Sequence, residues 1–134
     1  MSDLEQAQSL VILARRDFNA LTGMVAGAPF ADEIFGFHAQ QAIEKALKAW
    51  LTVRSTNFPL THDLTRLLSL LEGAGENVES FWPLVQYNVY AVQARYEAGL
   101  ADEDVPLDRH ATLAEVKAVI DHIEAILGAA YNRN

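Results

Sequence analysis

Apolar residues recur every three or four positions in five segments of the chain, and this repeat constrains the fold more than any other feature. Because an α-helix has about 3.6 residues per turn, such a repeat places the apolar side chains on one helical face. The alternation of apolar and polar residues that is typical of strands is absent from the sequence. The repeat therefore predicts an all-α protein.

Glycine, proline and capping residues interrupt the repeat and indicate where the helices begin and end. Ser2 and Glu5 have the spacing of a capping box, Thr61 can cap a later helix, and Pro83 is compatible only with the first turn of a helix. The five expected helices cover residues 2 to about 21, about 30 to 54, 61 to 73, 78 or 83 to 96, and 113 to 130.

Helices that each carry one apolar stripe can bury those stripes only against one another. The 134 residues contain no repeat or long linker, so we expect one domain over residues 1–134, folded as an up-and-down antiparallel bundle of four to five helices. The second helix is apolar around much of its circumference, and part of this surface could face a second copy of the chain. Its broad apolar surface comprises Ile34, Phe35, Ile43, Leu47, Trp50 and Leu51.

Charge and composition exclude several classes of protein. A net charge of −8 argues against non-specific binding of duplex DNA, because such binding depends on many lysine and arginine residues. The chain has no cysteine, its uncharged runs are too short to span a membrane, and its acidic start does not resemble a secretion signal. We therefore expect a cytoplasmic protein without disulfides, in which any site for a polyanion is local.

A polar stripe on the second helix is the first candidate site. His38, Gln41, Lys45 and Lys48 are spaced three, four and three residues apart, which places them within about 80° of one another on the helix. Glu44 lies beside the stripe and can pair with Lys48 one turn later. This stripe could bind phosphate, or it could be an ordinary solvated face.

Two further residues have side chains suited to phosphate. His62 is expected at the start of the third helix, where free backbone amides attract anions, although it could be only a cap. Arg95 is expected near the end of the fourth helix, where it could bind phosphate in a bidentate manner or neutralise the negative end of the helix. His110 and His122 have no metal-site spacing, so neither a metal nor another cofactor is expected.

Three segments in this order resemble the blocks of the HEPN family (higher eukaryotes and prokaryotes nucleotide-binding), in its small stand-alone prokaryotic form. They are GFHAQQAIEKALKA at residues 36–49, FPLTHDL at 58–64 and ARY at 94–96. The resemblance implies a homodimeric helical bundle that binds nucleotide or RNA. It also implies a separately encoded small nucleotidyltransferase partner, in a module like a toxin–antitoxin system. The polar stripe and these segments together give the candidate binding residues His38, Gln41, Lys45, Lys48, His62, Arg95 and Tyr96.

The sequence departs from the family's ribonuclease members, which carry an arginine followed four to six residues later by a histidine. The nearest pair here, Arg54 and His62, has seven intervening residues and spans a proline-containing break. Catalysis is therefore left open, with His38, His62 and Arg95 as candidate catalytic residues. A metal-independent RNase toxin and a non-catalytic helical adaptor are the alternatives to a nucleotide-binding protein.

Overall fold

A computed structural model describes residues 2–25, 31–91 and 107–132. Within these ranges the chain forms four α-helices and one 3-10 helix, and it contains no strand. The α-helices are α1 (Asp3–Met24), α2 (Asp32–Val53), α3 (Leu64–Gly73) and α4 (Arg109–Asn132), and the 3-10 helix (Glu79–Tyr90) lies between α3 and α4. The prediction of an all-α bundle is confirmed.

The helix starts follow local capping chemistry. The capping box is present, because the Ser2 hydroxyl accepts from the Glu5 amide and the Glu5 carboxylate accepts from the Ser2 amide, each at 3.1 Å. The cap of α3 is Asp63 rather than Thr61. The Asp63 carboxylate accepts from the Thr65 amide at 2.9 Å, whereas the Thr61 hydroxyl accepts from the amide of Asp63 itself at 3.0 Å.

Helix α2 lies at the centre of the molecule and packs against α1, α3, the 3-10 helix and α4. Most of its broad apolar surface is consequently covered within one chain, and contact of the remaining part with a second copy stays a prediction. Ile34 is the exception, with 48% of its surface exposed. Trp50 is 1% exposed and donates to the Glu76 carboxylate at 2.7 Å, so it belongs to the core of the single chain.

The fourth predicted helix is a 3-10 helix, and this changes which residues it buries. An α-helix would place Phe81, Val85 and Val89, which are four residues apart, on one face. In a 3-10 helix side chains superimpose every three residues. The three-residue series facing the bundle is Val78, Phe81, Leu84, Tyr87 and Tyr90, which are buried or partly buried, whereas Val89 is 43% exposed. Pro83 is its fifth residue rather than part of a first α-helical turn.

The remaining core comes from α4 and α1. Val116, Val119, Ile120 and Ile123 of α4 are fully buried and belong to the same core cluster as Ala7 and Ala14 of α1. Across the described ranges no helix is long and apolar enough to cross a lipid bilayer. The polar face of α2 is the part of this central helix that the apolar core does not cover.

Candidate functional site

The predicted stripe lies on the one strongly polar face of α2. His38, Gln41, Lys45 and Lys48 are all partly buried, because α1 and the segment before α3 flank this face. The side chains of His38, Lys45 and Lys48 are 34%, 26% and 15% exposed, and that of His62 is 65% exposed. All four side chains can therefore be reached from solvent while their packing restricts their movement.

Asp17 of α1 contacts His38 and Lys45 on this face. Its Oδ1 atom lies 3.2 Å from Nδ1 of His38, and its Oδ2 atom accepts from Nζ of Lys45 at 2.6 Å. The Asp17 side chain is only 14% exposed, so one carboxylate orients a histidine and a lysine from a neighbouring helix.

Glu44 makes the same two kinds of contact with His62 and Lys48. Its Oε1 atom lies 2.9 Å from Nδ1 of His62, and its Oε2 atom accepts from Nζ of Lys48 at 2.9 Å. The predicted Glu44–Lys48 pair is therefore confirmed. Lys48 Nζ also lies 5.8 Å from the centre of the Phe58 ring, a cation–π contact that further restricts it.

Two glutamines connect these two sets of contacts. Gln40 is fully buried and donates both to Glu44 Oε1 at 3.0 Å and to the backbone oxygen of His62 at 2.9 Å. Gln41 donates to Gln40 Oε1 at 2.7 Å. These bonds attach the segment before α3 to α2, which explains why His62 lies beside a helix that ends earlier in the chain. We call the connected residues the α2 cluster: Asp17, His38, Gln40, Gln41, Glu44, Lys45, Lys48 and His62.

Ion pairing balances the charge of the α2 cluster. Burial acts to raise the pKa of Glu44, but hydrogen bonds from Lys48, His62 and Gln40 outweigh it, so the pKa is lowered and the group is ionised at neutral pH. Two carboxylates then face two ammonium groups. With neutral imidazole rings the cluster has no net charge, and each protonated ring would add one positive charge.

The ribonuclease-type pair of Arg54 and His62 does not form. Arg54 Nε donates to the Glu76 carboxylate at 2.5 Å, whereas His62 pairs with Glu44. The two residues therefore belong to different ion-pair groups. The two other predicted site residues, Arg95 and Tyr96, lie outside the described residues.

Sequence reasoning missed Asp17 and Gln40. Asp17 lies on a different helix from the lysine and histidine that it holds, and an acidic residue on α1 has no local pattern that reveals such a contact. Gln40 belongs to the segment that carries the family resemblance, but it lies beside the stripe and was not selected. Within the three described ranges no group of three or more histidine, aspartate or glutamate residues could hold a metal ion.

A family model described as HEPN domain matches residues 4–133, which is nearly the whole chain. The chain belongs to the HEPN family. HEPN domains form a nucleotide-binding and RNase-type family, and the family resemblance noted in the sequence includes most of the α2 cluster. No curated protein and no solved structure matches the chain.

Proposed function

We propose that this HEPN protein binds the phosphates of nucleotide or RNA at the α2 cluster. The observation that carries the proposal is that Asp17 and Glu44 hold two lysines and two histidines on one half-buried face of α2. His38, Gln41, Lys45, Lys48 and His62 would contact phosphate. Arg95 and Tyr96 are proposed as further contacts on the basis of the resemblance.

The chemistry of these groups suits an anion on a protein that is acidic overall. An ammonium group has three donors, and among the described contacts Lys45 and Lys48 each donate one hydrogen bond to a carboxylate. Donors therefore remain for phosphate oxygens. Because the lysines are already positioned, binding loses less side-chain entropy than it would with free surface lysines.

We further propose that the protein acts in the cytoplasm as a homodimer with a separately encoded small nucleotidyltransferase, in a module like a toxin–antitoxin system. These proposals rest on membership of the HEPN family and on the resemblance to its small stand-alone form. Co-purification of the two proteins and light scattering of the isolated chain would test the partner and the oligomeric state separately.

Calorimetric titration with the four ribonucleoside triphosphates tests the binding site. Lys45→Ala removes a charged donor from the α2 cluster, and we expect about 5- to 30-fold weaker binding, since a hydrogen bond to a charged group contributes about 1–2 kcal/mol at a partly exposed site. Lys117→Ala is the matched control. Lys117 is 59% exposed on α4 and pairs with Asp121, so this change removes the same charge elsewhere.

The comparison of the two lysine variants has a clear negative outcome. Equal weakening by both would mean that net charge alone governs binding. If Lys45→Ala bound every nucleotide as tightly as the unaltered protein does, the binding site would lie elsewhere.

A metal-independent RNase toxin is the second candidate. The observation that favours it is that both His38 and His62 have Nδ1 against a carboxylate, an arrangement that suits a general acid or base. This activity predicts growth arrest on expression that His62→Ala or Arg95→Ala abolishes. Harmless expression of the unaltered protein would exclude the toxin. If substitutions that remove the charged side chains of the α2 cluster changed neither binding nor growth, the non-catalytic adaptor would be favoured.

A further inference from the structure

We propose that Asp17 and Glu44 are positioning residues that couple phosphate binding at the α2 cluster to proton uptake by His38 and His62. This inference rests on the proposed phosphate-binding function and adds to it a regulation by pH. It concerns the two carboxylates, which would not touch the ligand and would act through the histidines and lysines that they hold.

The two carboxylates make the same pair of contacts. In each, one oxygen faces Nδ1 of a histidine and the other accepts from Nζ of a lysine: His38 and Lys45 for Asp17, and His62 and Lys48 for Glu44. The carboxylates come from different helices and the histidines from different segments. Helical spacing accounts for the Glu44–Lys48 pair, but the other three contacts join different segments and depend on the tertiary structure.

These contacts determine which ring nitrogen carries hydrogen. An ionised carboxylate can only accept, so Nδ1 of His38 and of His62 must donate. In the neutral ring Nε2 then has no hydrogen and cannot donate to phosphate. No hydrogen bond from another described residue reaches Nε2 of either ring. Each ring can therefore take a proton at Nε2 and present it to an anion.

Protonation would give the α2 cluster the net charge that phosphate requires. With neutral rings, the charges of Lys45 and Lys48 are balanced by Asp17 and Glu44. Each proton taken up adds one positive charge and one donor. Because linkage is reciprocal, a phosphate that favours the protonated rings must bind more tightly as the pH falls.

The other charged groups near the two histidine rings do not provide this link between phosphate binding and proton uptake. The lysines that share the carboxylates lie on α2, and the neighbour of His62 in the chain is Asp63. The Asp63 carboxylate is engaged in capping α3, where it accepts from the Thr65 amide at 2.9 Å and from Asn88 Nδ2 at 3.0 Å. Phe37, which contacts the His38 ring edge-on, has no charge.

The test measures affinity at about pH 6 and about pH 8 with ligands of constant charge, so that only the protein titrates. Two probes meet this condition: 2′-O-methyl hexauridylate, which also resists cleavage by a 2′-hydroxyl, and diadenosine tetraphosphate. We expect about three- to tenfold tighter binding at the lower pH, because the histidines are partly exposed. Calorimetry in buffers of different ionisation enthalpy should show proton uptake on binding.

Asp17→Asn separates positioning from a purely structural role. The amide still accepts from His38, but it no longer neutralises Lys45 or favours a charged ring. We expect about threefold tighter binding at pH 8 and a smaller gain on going to pH 6. The matched control is Asp121→Asn on α4, which removes an acid that pairs with Lys117 and Arg15 and should keep the full pH response.

His38→Gln provides a second variant in case Asp17→Asn disturbs the contact between α1 and α2. It removes one titrating ring and should reduce the pH response by about half on a logarithmic scale. Asp17→Asn binding that is weaker by the same factor at both pH values would reduce Asp17 to a structural role and overturn the proposal.

The outcomes for the inference and for the proposed function are distinguishable. Binding that Lys45→Ala weakens but that does not change with pH would overturn the proton coupling and leave the phosphate site in place. Absence of binding of both probes and of ribonucleotides at either pH would overturn the phosphate site and the coupling together.

Discussion

At the scale of single residues, Gly36 shows how closely the 3-10 helix approaches α2. A Cβ atom at this position would overlap ring atoms Cγ, Cδ1 and Cε1 of Tyr90. The ring of Tyr90 therefore packs directly on the backbone of α2, at the start of the segment that carries the α2 cluster. A residue with a side chain can be accommodated there only if the tyrosine moves.

We predict that Gly36→Ala destabilises the protein by about 1–3 kcal/mol, because displacement of the Tyr90 ring outweighs the better helix propensity of alanine. Thermal unfolding would measure this. Gly23→Ala is the matched control, since nothing lies within 4 Å of a Cβ at Gly23 in α1, and this change should be neutral or stabilising by up to about 1 kcal/mol. Equal effects of the two changes would contradict the close approach.

The candidate site was only partly predictable at this scale. Spacing identified His38, Gln41, Lys45 and Lys48, because residues three and four positions apart share a helical face whatever the tertiary structure. It could not identify Asp17 as the partner of two of them, because that contact joins residues 21 and 28 positions apart. His62 was selected for a helix start, but its position beside α2 depends on Gln40 and Glu44.

At the scale of elements, the 3-10 helix is joined to α4 by a buried hydroxyl. Tyr87 is 1% exposed, and its Oη atom donates to the Glu115 carboxylate at 2.7 Å and lies 2.9 Å from the hydroxyl of buried Thr112. Burial, together with the nearby Glu115 carboxylate, raises the pKa of Tyr87 well above its ordinary value of 10.0. The neutral phenol is therefore the form that the fold accommodates.

We predict that Tyr87→Phe destabilises the protein by about 1–2 kcal/mol, because the Thr112 hydroxyl is left buried without this partner. Denaturant unfolding would measure the loss. Tyr131→Phe, at a site on α4 that is 65% exposed, is the control and should have no effect. Above about pH 10 the unfolded chain ionises Tyr87 before the folded protein does, so this part of the stability falls as pH rises and is absent in Tyr87→Phe.

The 3-10 helix also shows which elements a sequence predicts well. The predicted ends of the long helices α1, α2 and α4 lie within a few residues of the observed ends, because each helix has an apolar stripe over several turns. The segment at Glu79–Tyr90 contains apolar residues at spacings of both three and four. The choice between them depends on the surfaces of α2, α3 and α4 against which the segment packs.

At the scale of the whole molecule, ion pairs that are partly buried make the fold sensitive to acid. Burial acts to raise the pKa of both Glu44 and Glu76. Hydrogen bonds outweigh burial, mainly from Lys48 to Glu44 and from Arg54 to Glu76, so both pKa values are lowered below the ordinary value of 4.5. A carboxylate with a lowered pKa contributes stability above that value, and this contribution is lost as the pH falls through the lowered pKa.

We predict that the stability difference between the unaltered protein and Glu44→Gln is largest near neutral pH and narrows as the pH falls below about 4.5. The amide cannot ionise, so it lacks the part of the stability that acid removes from the carboxylate. Thermal unfolding from about pH 3 to pH 7 would measure the difference. Glu72→Gln, on the exposed side of α3, is the control. A constant difference for Glu44→Gln would contradict the role of its charge.

The sequence by itself determined the helical class, the approximate bounds of the long helices and the polar face of α2, because these depend on side chains a few positions apart. The tertiary structure alone decided that α2 is buried on its other sides, that the fourth helix is of the 3-10 type, that Asp17 pairs with His38 and Lys45, and that Glu44 holds His62. Those features depend on contacts between distant parts of the chain. A local repeat in the sequence does not encode such contacts.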